Sequence, residues 1–382
     1  MTSPTKRIAI FLPSLAGGGA ERVMLNVARG LAKNEALTVD LVVADRSGEY
    51  VDQVGGDLNL VDLGAGRISK SPLALRKYIQ DASPDVLISA LDLANLTAIG
   101  VSRTLRNRPQ VVVTEHAAIS VHLGVNRSNR RALRLVQAIL PQLLNVGYRL
   151  ADRVVAVSHG VADDLAETTG LPRDRVLVVG NPVVTPEVRY KAEQPATHPW
   201  LLDPDGPPVI LGVGRLSPQK NFALLLKAFA QVRSERDARL LILGEGPKRA
   251  ELEKLADELD ISKDLSMPGF VDNPYAEMAA ADVFALSSEY EGLPTVLIEA
   301  LFCDTPVVST DCKAGPRQIL DDGVHGKLVP VGDLDALVTA LHGVLDERDQ
   351  AGRQTGWEQF SEEVIIAEYT DLVNSIGAEV PV

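Results

Sequence analysis

Short apolar runs alternate with longer amphipathic segments along the chain. The runs RIAIFLPSL, LTVDLVVA, DVLISA, QVVVTEH, RVVAVS and RVLVVGNPV are rich in Val, Ile and Leu and do not alternate apolar with polar residues. Such strands are buried on both faces, as in a parallel sheet that is covered by helices. Helix-length segments such as GGGAERVMLNVARGLAK lie between them. The pattern predicts an α/β domain with a doubly wound parallel sheet.

A second series of the same kind begins near residue 209, with the runs PVILGVGRL, RLLILGEG, DLSMPGF, ADVFALSS and TPVVST. The segment before it, 186–208, is rich in proline and has no periodicity, which favours a linker. We therefore predict a Rossmann-like domain over 1–185, a linker over 186–208 and a second Rossmann-like domain over 209–355. The remaining residues, 356–382, are expected to form a helix that crosses back to the first domain. Two such domains should face each other across a cleft at the C-terminal ends of their strands.

Charge is distributed unevenly between the two halves of this 382-residue chain, whose net charge is −13. Residues 1–190 contain 22 Lys and Arg against 18 Asp and Glu, a net charge of +4, whereas the remainder contains 16 against 33, a net charge of −17. The acidic half argues against a nucleic-acid partner, while the slightly basic half could face something anionic.

The start of the chain favours a first strand over a signal peptide, and no apolar run approaches the ~18 residues of a membrane span. Cys303 and Cys312 lack metal-ligand spacing and are interpreted as core thiols. These features predict a cytoplasmic protein.

The stretch GVGRLSPQKNF, 212–222, is the clearest candidate for phosphate binding. Ser217 is a good helix N-cap and Pro218 suits the first helical position, so Lys220 is predicted to lie in the first turn. A lysine is unfavourable there unless an anion binds between it, the helix end and Arg215. The alternative is a solvated lysine and a surface arginine.

The stretch EYEGLPTVLIEAL, 289–301, contains two carboxylates eight positions apart. A helix is predicted to begin near Pro294, which places Glu299 in its second turn and Glu291 in the preceding loop. The helix is apolar on nearly every side, so Glu299 is expected to be buried rather than to face solvent. The pair could bind hydroxyl groups on either side of a phosphate held at the helix end.

Three further segments lie at predicted ends of strands. AGGGAERVM, 16–24, would let a ligand approach the backbone at Gly18 and Gly19. A dinucleotide fingerprint is excluded there, because Arg22 stands where the third glycine belongs. His116 in TEHAAIS either makes structural hydrogen bonds or has a functional role. Gly244 in LGEGP is either required by a turn or part of a site.

Taken together, GVGRLSPQKNF, LGEGP, PGFVDNPYAEMAAADVFALSS and above all EYEGLPTVLIEAL resemble the retaining glycosyltransferases of family 4, which have the GT-B fold. The carboxylate pair matches the E-x7-E motif of that family. The resemblance covers most of the chain and is most specific over 210–331, where these motifs occur in the family's order and spacing. In the first half it depends on the looser motifs GGGAERVM, TEH, VAVSHGVADDL and GNPV.

This resemblance implies roles for the matched residues. Arg215 and Lys220 would hold the diphosphate of a nucleotide sugar, Glu299 the ribose hydroxyls, and Glu291 the transferred sugar. His116 would lie beside that sugar. The remaining residues implied in donor binding are Gly18, Gly19, Gly244, Val271, Gly292, Leu293 and Thr295.

The implied reaction is front-face transfer of a sugar with retention at the anomeric carbon. The leaving diphosphate would help to deprotonate the acceptor, and neither a metal nor another cofactor is expected. Two positions depart from the family pattern. Pro294 stands where glycine is frequent and offers no N–H to a phosphate, and Gln318 stands where a glutamate is common.

The acceptor is indicated less directly. Arg127, Arg130, Arg131 and Arg134 cluster beside an apolar run, and a basic amphipathic helix of this kind suits an anionic membrane surface or a lipid diphosphate. The alternative is a solvated basic face. The motifs GGGAER and DCxxGPR are similar to those of bacterial enzymes that extend lipid-linked or surface glycans, often from N-acetylhexosamine donors, which we expect here to be linked to UDP.

This resemblance favours a peripheral enzyme on the inner face of the cell membrane. The competing hypotheses are a transferase with a small soluble acceptor, a dinucleotide-dependent oxidoreductase and a non-catalytic binding subunit.

Overall fold

The first folded unit is built on a seven-stranded sheet. In a computed structural model of the chain, the described residues are 5–16, 18–56, 58–121, 131–347 and 352–376, and for 131–138 only the helical backbone is described. The residues up to Pro182 and those from Glu362 onward form this unit. Its strands are β1 Lys6–Leu12, β2 Leu37–Val43, β3 Asn59–Asp62, β4 Val86–Ala90, β5 Gln110–Glu115, β6 Arg153–Ala156 and β7 Val176–Val178.

All of these strands are parallel, in the order β3-β2-β1-β4-β5-β6-β7. The connecting helices are α1 Gly19–Ala32, α2 Pro72–Ala82, α3 Asp92–Arg103, α4 Arg131–Leu150 and α5 His159–Thr169. The central strand β4 is buried throughout and β1 is buried from Ile8 onward, as their lack of alternation predicts. The short edge strand β3 was not predicted, because its four residues, two exposed and two half-buried, give too little pattern.

The second unit, Val183–Ser361, repeats this architecture. Its parallel strands are β8 Val209–Val213, β9 Arg239–Leu243, β10 Leu265–Gly269, β11 Val283–Leu286, β12 Val307–Thr310 and β13 Lys327–Val329, in the order β10-β9-β8-β11-β12-β13. The helices are α6 Pro186–Ala192, α7 Phe222–Glu235, α8 Arg249–Glu258, α9 Pro274–Ala280, α10 Thr295–Phe302, α11 Pro316–Ile319 and α12 Leu334–Glu347. Leu, Ile, Val and Phe side chains of these helices and strands form one continuous core.

The C-terminal helix α13, Glu362–Ser375, belongs to the first unit. It packs on α1, where Gly30 permits close contact, since a Cβ atom there would lie 2.3 Å from Cγ1 of Ile366. Lys33 and Glu362 add an ion pair between the two helices at 2.7 Å. The apolar side of α13 thereby joins the core of the first unit.

Residues 186–208 differ from the predicted linker, because they fold as part of the second unit. Helix α6 begins inside this segment, capped by Thr185, whose Oγ1 accepts from the amide of Val188. The Arg189 guanidinium lies 5.5 Å from the ring centre of Phe302 and 5.4 Å from that of Trp357. Cation–π contacts of this kind join residues far apart in the sequence, so proline content alone does not reveal them.

The order of strands places one switch point in each sheet, between β1 and β4 and between β8 and β11. At such a point the chain leaves two adjacent strands in opposite directions, which opens a crevice at their C-terminal ends. Gly18 and Gly19 follow β1, and Arg215, Lys220 and Glu291 lie in the loops after β8 and β11. The other predicted residues at strand ends, His116, Gly244 and Val271, follow β5, β9 and β10. None of the helices in the described ranges has the length and apolar character that a membrane crossing requires. Cys303 and Cys312 are buried free thiols, as predicted.

Candidate active site

Two loops of the second unit meet at its switch point. Residues 214–221 follow β8, and residues 287–294 follow β11. The amide of Glu289 donates to the carbonyl of Gln219 at 2.8 Å, and Nε2 of Gln219 donates to the carbonyl of Tyr290 at 3.0 Å. Ser287 Oγ donates to the carbonyl of Lys220 at 2.8 Å. These bonds hold the two loops side by side.

Lys220 and Glu291 form an ion pair across the two loops, with Nζ 2.6 Å from Oε1. Both side chains are largely buried, at 15% and 7% exposure. The predicted helical setting of Lys220 is wrong: residues Pro218–Lys220 form a single 3₁₀ turn, and α7 begins only at Phe222. The backbone of Asn221 is in the left-handed conformation, and its side-chain Oδ1 caps α7 by accepting from the amide of Leu224 at 3.3 Å. The charge of Lys220 is therefore balanced by Glu291 and does not lie in the first turn of an α-helix, where it would be unfavourable.

Arg215 lies exposed in the first of these loops, and no ion-pair partner is found for it within the described parts of the chain. The backbone of this loop packs closely against two glycines, Gly244 and Gly246. A Cβ atom at Gly244 would lie 2.1 Å from the carbonyl oxygen of Gly214, and one at Gly246 would lie 2.3 Å from that of Leu216. Gly244, predicted as a donor-binding residue, thus contacts the Arg215 loop, and its φ of 136° is open mainly to glycine.

The E-x7-E segment folds as predicted, with Glu299 buried at 7% exposure on α10. Pro294 is the N-cap residue, one position before the helix. The N-cap amide is one of the four amides at a helix start that lack an intrahelical partner, so Pro294 removes one possible phosphate donor. The amide of Leu297 donates to the carbonyl of Pro294 at 3.0 Å, which leaves the amides of Thr295 and Val296 for a ligand at the helix end. Gly292 and Leu293 precede it in the loop.

Gly315 supports the start of α10. Its φ is 91°, and a Cβ atom there would lie 2.4 Å from Cδ of Pro294. Gln318, the second departure from the family pattern, lies half-buried on the short helix α11 that follows.

Val271 lies half-buried just after β10, at the same edge of the sheet as these loops. Phe270, directly before it, has 79% of its surface exposed. An exposed aromatic ring at a ligand-binding edge offers a flat apolar surface to a planar ring. Phe270 was not among the predicted site residues, although an aromatic residue directly after a strand was a visible signal.

The first unit places Gly18, Gly19 and His116 at the C-terminal edge of its own sheet. Gly18 is the N-cap residue of α1, and a Cβ atom at Gly19 would meet no atom within 4 Å, so packing does not require glycine at that position. Burial lowers the pKa of His116 to about 4, so the ring is neutral near pH 7.

The hydrogen bonds of His116 indicate its tautomer. The Thr114 hydroxyl donates to the carbonyl of Ser89 at 2.9 Å, so its oxygen is left to accept from Nε2–H of His116 at 3.1 Å. Nδ1 is then an acceptor, buried and without a partner among the described residues.

A buried polar cluster next to His116 was not predicted. Glu115, 3% exposed, accepts from the Tyr148 hydroxyl and, at 3.1 Å, from Asn95 Nδ2, and it also hydrogen-bonds Asp92. Burial, and then the charge of Asp92, raise the pKa of Glu115 well above its ordinary value. A neutral Glu115 can donate its proton to Asp92 while accepting from the other two side chains. The TEH segment gave no sign of this, because Asn95 and Tyr148 come from distant helices.

Loss of the hydroxyl group should have different effects on the free energy of unfolding at two buried tyrosines. Tyr148→Phe removes a donor from the buried Glu115 cluster, and we expect it to lower the free energy of unfolding by about 1–3 kcal/mol. Tyr369 on α13 is fully buried, and its hydroxyl has no partner among the described residues. Tyr369→Phe should therefore leave stability unchanged or raise it by up to about 1 kcal/mol. Urea unfolding of both variants checks this, and a destabilised Tyr369→Phe protein would contradict it.

Glu115→Gln is expected to stabilise the protein in a pH-dependent way. A carboxyl group whose folded-state pKa is raised contributes stability at acidic pH that is lost as pH rises above its unfolded value. Glutamine keeps an acceptor for Tyr148 and a donor to Asp92 but does not titrate. The gain in Tm over the wild-type protein should therefore be larger at pH 8 than at pH 5. The exposed Glu49→Gln variant is the control, and an equal gain at both pH values would show that Glu115 is ionised in the fold.

The predicted basic helix is described only in part. Arg127 and Arg130 lie outside the described residues, and Arg131 and Arg134 lie on the part of α4 whose backbone alone is described. Further along α4, four apolar side chains spaced by four, three and four residues are exposed: Ile139 at 44%, Leu143 at 50%, Val146 at 63% and Leu150 at 44%. This spacing places them on one face of the helix.

Comparisons with known proteins agree with this architecture. Family profiles match two stretches: Glycosyltransferase Family 4 over residues 17–186 and Glycosyl transferases group 1 over residues 194–356. A relative from Campylobacter jejuni is 30% identical over 353 residues, which span 90% of this chain and 91% of the relative. It is the N-acetylgalactosamine-N,N'-diacetylbacillosaminyl-diphospho-undecaprenol 4-alpha-N-acetylgalactosaminyltransferase. The chain belongs to glycosyltransferase family 4.

Two further comparisons extend this result. A second N-acetylgalactosaminyltransferase of the same organism, which acts on a GalNAc-GalNAc-diNAcBac-PP-undecaprenol acceptor, is 27% identical over 356 residues and covers 90% of both chains. The crystal structure of Anabaena HepE in complex with UDP matches with a TM-score of 0.76 at 19% identity, over 97% of this chain and all of that one. The predicted fold, two doubly wound domains of the GT-B type, is confirmed, and the glycosyltransferase assignment removes the oxidoreductase hypothesis.

No group of three or more His, Cys, Asp and Glu side chains suited to a metal ion occurs in the described ranges. The independence from metal remains a prediction.

Proposed function

We propose that this glycosyltransferase transfers an N-acetylhexosamine from UDP to a lipid-linked glycan acceptor, with retention at the anomeric carbon. The observation that carries the proposal is the buried Lys220–Glu291 ion pair at the switch point of the second unit, with Arg215 exposed on the same loop as Lys220 and Glu299 one helical turn into α10. The lipid-linked acceptor and the N-acetylhexosamine are proposed from the two Campylobacter relatives. UDP is proposed from the family resemblance.

The chemistry of this site is electrostatic. The bond between the anomeric carbon and the diphosphate oxygen breaks, and a bond from that carbon to the acceptor oxygen forms on the same face. The acceptor proton passes to an oxygen of the departing diphosphate. Arg215, Lys220 and the amides at the start of α10 would stabilise the negative charge that develops on that leaving group.

The rest of the donor would be held by groups already in place. Glu299 is a buried carboxylate suited to the two ribose hydroxyls, and Glu291 to hydroxyls of the sugar. The exposed ring of Phe270 would stack on the nucleobase beside Val271, since every base has a flat π-face.

A donor screen tests the proposal. Release of UDP or GDP is measured from UDP-GalNAc, UDP-GlcNAc, UDP-glucose and GDP-mannose, with a polyprenyl-diphosphate-linked N-acetylhexosamine, with a methyl glycoside of the same sugar, or with no acceptor. We expect release from a UDP-N-acetylhexosamine that is stimulated most by the lipid-linked acceptor. Stimulation by the methyl glycoside alone would favour a soluble acceptor. No release from any donor would favour the non-catalytic binding subunit.

We propose further that the protein binds an anionic membrane surface through α4. Its exposed stripe of Ile139, Leu143, Val146 and Leu150 offers apolar area, and the four arginines Arg127, Arg130, Arg131 and Arg134 offer positive charge. Apolar burial and attraction to anionic lipid together determine the affinity of interfacial helices.

Membrane binding should therefore depend on both features. Leu143→Ser combined with Val146→Ser is expected to weaken binding to phosphatidylglycerol-containing vesicles at least about tenfold, because each buried side chain contributes about 1.5–3 kcal/mol. Neutralising the four arginines to glutamine should have a comparable effect and should reduce the salt dependence. Vesicle co-sedimentation measures both effects. Leu202→Ser, an exposed site in the second unit, is the control, and unchanged binding by both sets of variants would remove the proposal.

A further inference from the structure

The two oxygens of the Glu291 carboxylate have unequal surroundings. Oε1 accepts from Lys220 Nζ at 2.6 Å and from Ser288 Oγ at 2.7 Å. Oε2 has a single long contact within the described residues, from Gln219 Nε2 at 3.4 Å. The side chain is 7% exposed, so solvent adds little. A ligand hydroxyl would therefore find its free acceptor at Oε2.

This carboxylate stands where an anion is expected to bind. The proposed donor brings a diphosphate to the start of α10, only a few residues beyond Glu291 in the chain. A buried, uncompensated carboxylate would repel it, because like charges interact strongly where water is excluded. The ammonium of Lys220 has three N–H donors, of which Glu291 occupies one. Two donors remain for phosphate oxygens.

We propose that Lys220 bridges Glu291 and the donor diphosphate, and that Ser288 positions Glu291 so that its Oε2 atom accepts a sugar hydroxyl. This inference rests on the proposed function and makes recognition of the sugar and recognition of the diphosphate interdependent. Lys220 then has two roles, since it binds the phosphate and cancels a neighbouring charge that would expel it. Ser288 is fully buried and donates to the same oxygen as Lys220, which fixes the rotation of the carboxylate.

A double-mutant cycle on UDP binding tests the bridge without any turnover. The Kd of UDP is measured by calorimetry for the full-length wild-type protein and for Lys220→Ala, Glu291→Gln and the double variant. We expect Lys220→Ala to weaken binding about 100-fold, since one partner of a buried pair is left uncompensated. Glu291→Gln should tighten binding only about threefold in the wild-type background but at least about tenfold in the Lys220→Ala background. If Glu291→Gln has the same effect in both backgrounds within twofold, the bridge is overturned.

The role of Ser288 has a different readout. Ser288→Ala should leave the Kd of UDP within twofold of wild type but raise the Kd of the UDP-sugar about tenfold, because only the sugar contacts Oε2. Ser309→Ala is the matched control, a buried serine on β12 whose hydroxyl contacts a backbone carbonyl. Equal weakening of UDP and UDP-sugar by Ser288→Ala would show a purely structural role and overturn the positioning.

The proposed transferase function and the proposed Lys220 bridge can be overturned by different results. Wild-type protein that binds UDP but releases no nucleotide from any donor would overturn the proposed transferase function while leaving the UDP cycle measurable. A wild-type protein that transfers sugar but shows an additive cycle would overturn only the bridge. Absence of UDP binding by the wild-type chain would overturn both.

Discussion

Arg215→Ala is expected to lower kcat roughly 10²–10³-fold, the usual loss when one preorganised group that stabilises developing charge is removed. Arg215 is exposed just after β8, on the same loop as Lys220, and it has no ion-pair partner within the described parts of the chain. Its guanidinium is therefore available to a ligand. Removing it should weaken stabilisation of the leaving diphosphate more than binding of the intact donor, so kcat should fall more than KM rises.

The measurement is steady-state release of nucleotide from the best donor of the screen. Arg236→Ala is the matched control, since Arg236 lies at the far end of α7 and pairs with Asp346 on the surface. Arg215 also lies on a loop that Gly244 and Gly246 support, so circular dichroism should confirm that the variant is folded. A folded Arg215→Ala enzyme with wild-type kcat would show that the diphosphate is bound elsewhere.

Glu299→Gln is expected to weaken binding of UDP about 10–100-fold. Hydrogen bonds to an ionised group contribute about 1.5–3 kcal/mol, and the carboxylate is proposed to accept from both ribose hydroxyls. Glutamine has nearly the same shape, so the buried position on α10 stays filled. The amide nitrogen cannot accept, and one of the two hydroxyl contacts is lost.

A second ligand makes this test specific to ribose. Binding of 2′,3′-dideoxy-UDP should be weak to wild-type protein and nearly unchanged by Glu299→Gln, because the hydroxyls are missing from the ligand itself. The matched control is Glu289→Gln, an exposed carboxylate in the loop before α10. If Glu299→Gln weakens UDP and its dideoxy analogue equally, Glu299 supports the fold of the helix rather than the ribose.

Most of the architecture was predictable because its signals are local. Apolar runs without alternation indicate buried parallel strands wherever they occur, and a Pro near the start of an apolar segment indicates a helix start. Glu299 could be placed inside α10 and buried for this reason. The setting of Lys220 could not, because Asn221 takes a left-handed conformation that delays the helix by four residues relative to Pro218.

Residues 186–208 show the same limit. Their prolines indicated a break in regular structure, but distant residues hold the segment in place. The Thr197 hydroxyl donates to Glu277 at 2.6 Å, and Arg189 lies over the rings of Phe302 and Trp357. Local composition indicates the conformation that a segment favours in isolation. Contacts with distant residues determine whether the segment is ordered in the folded protein.

The sequence by itself determined the two doubly wound domains, the position of Arg215 after a strand and the spacing of Glu291 and Glu299, because each depends on neighbours within one helix or loop. The tertiary structure decided which charges meet. Lys220 faces Glu291 across 71 positions of chain only because the strand order makes β8 and β11 neighbours. Glu115 is enclosed by Asn95 and Tyr148 because β5 carries it between two helices. Electrostatic partners are set by distance in space, which the linear order of residues does not contain.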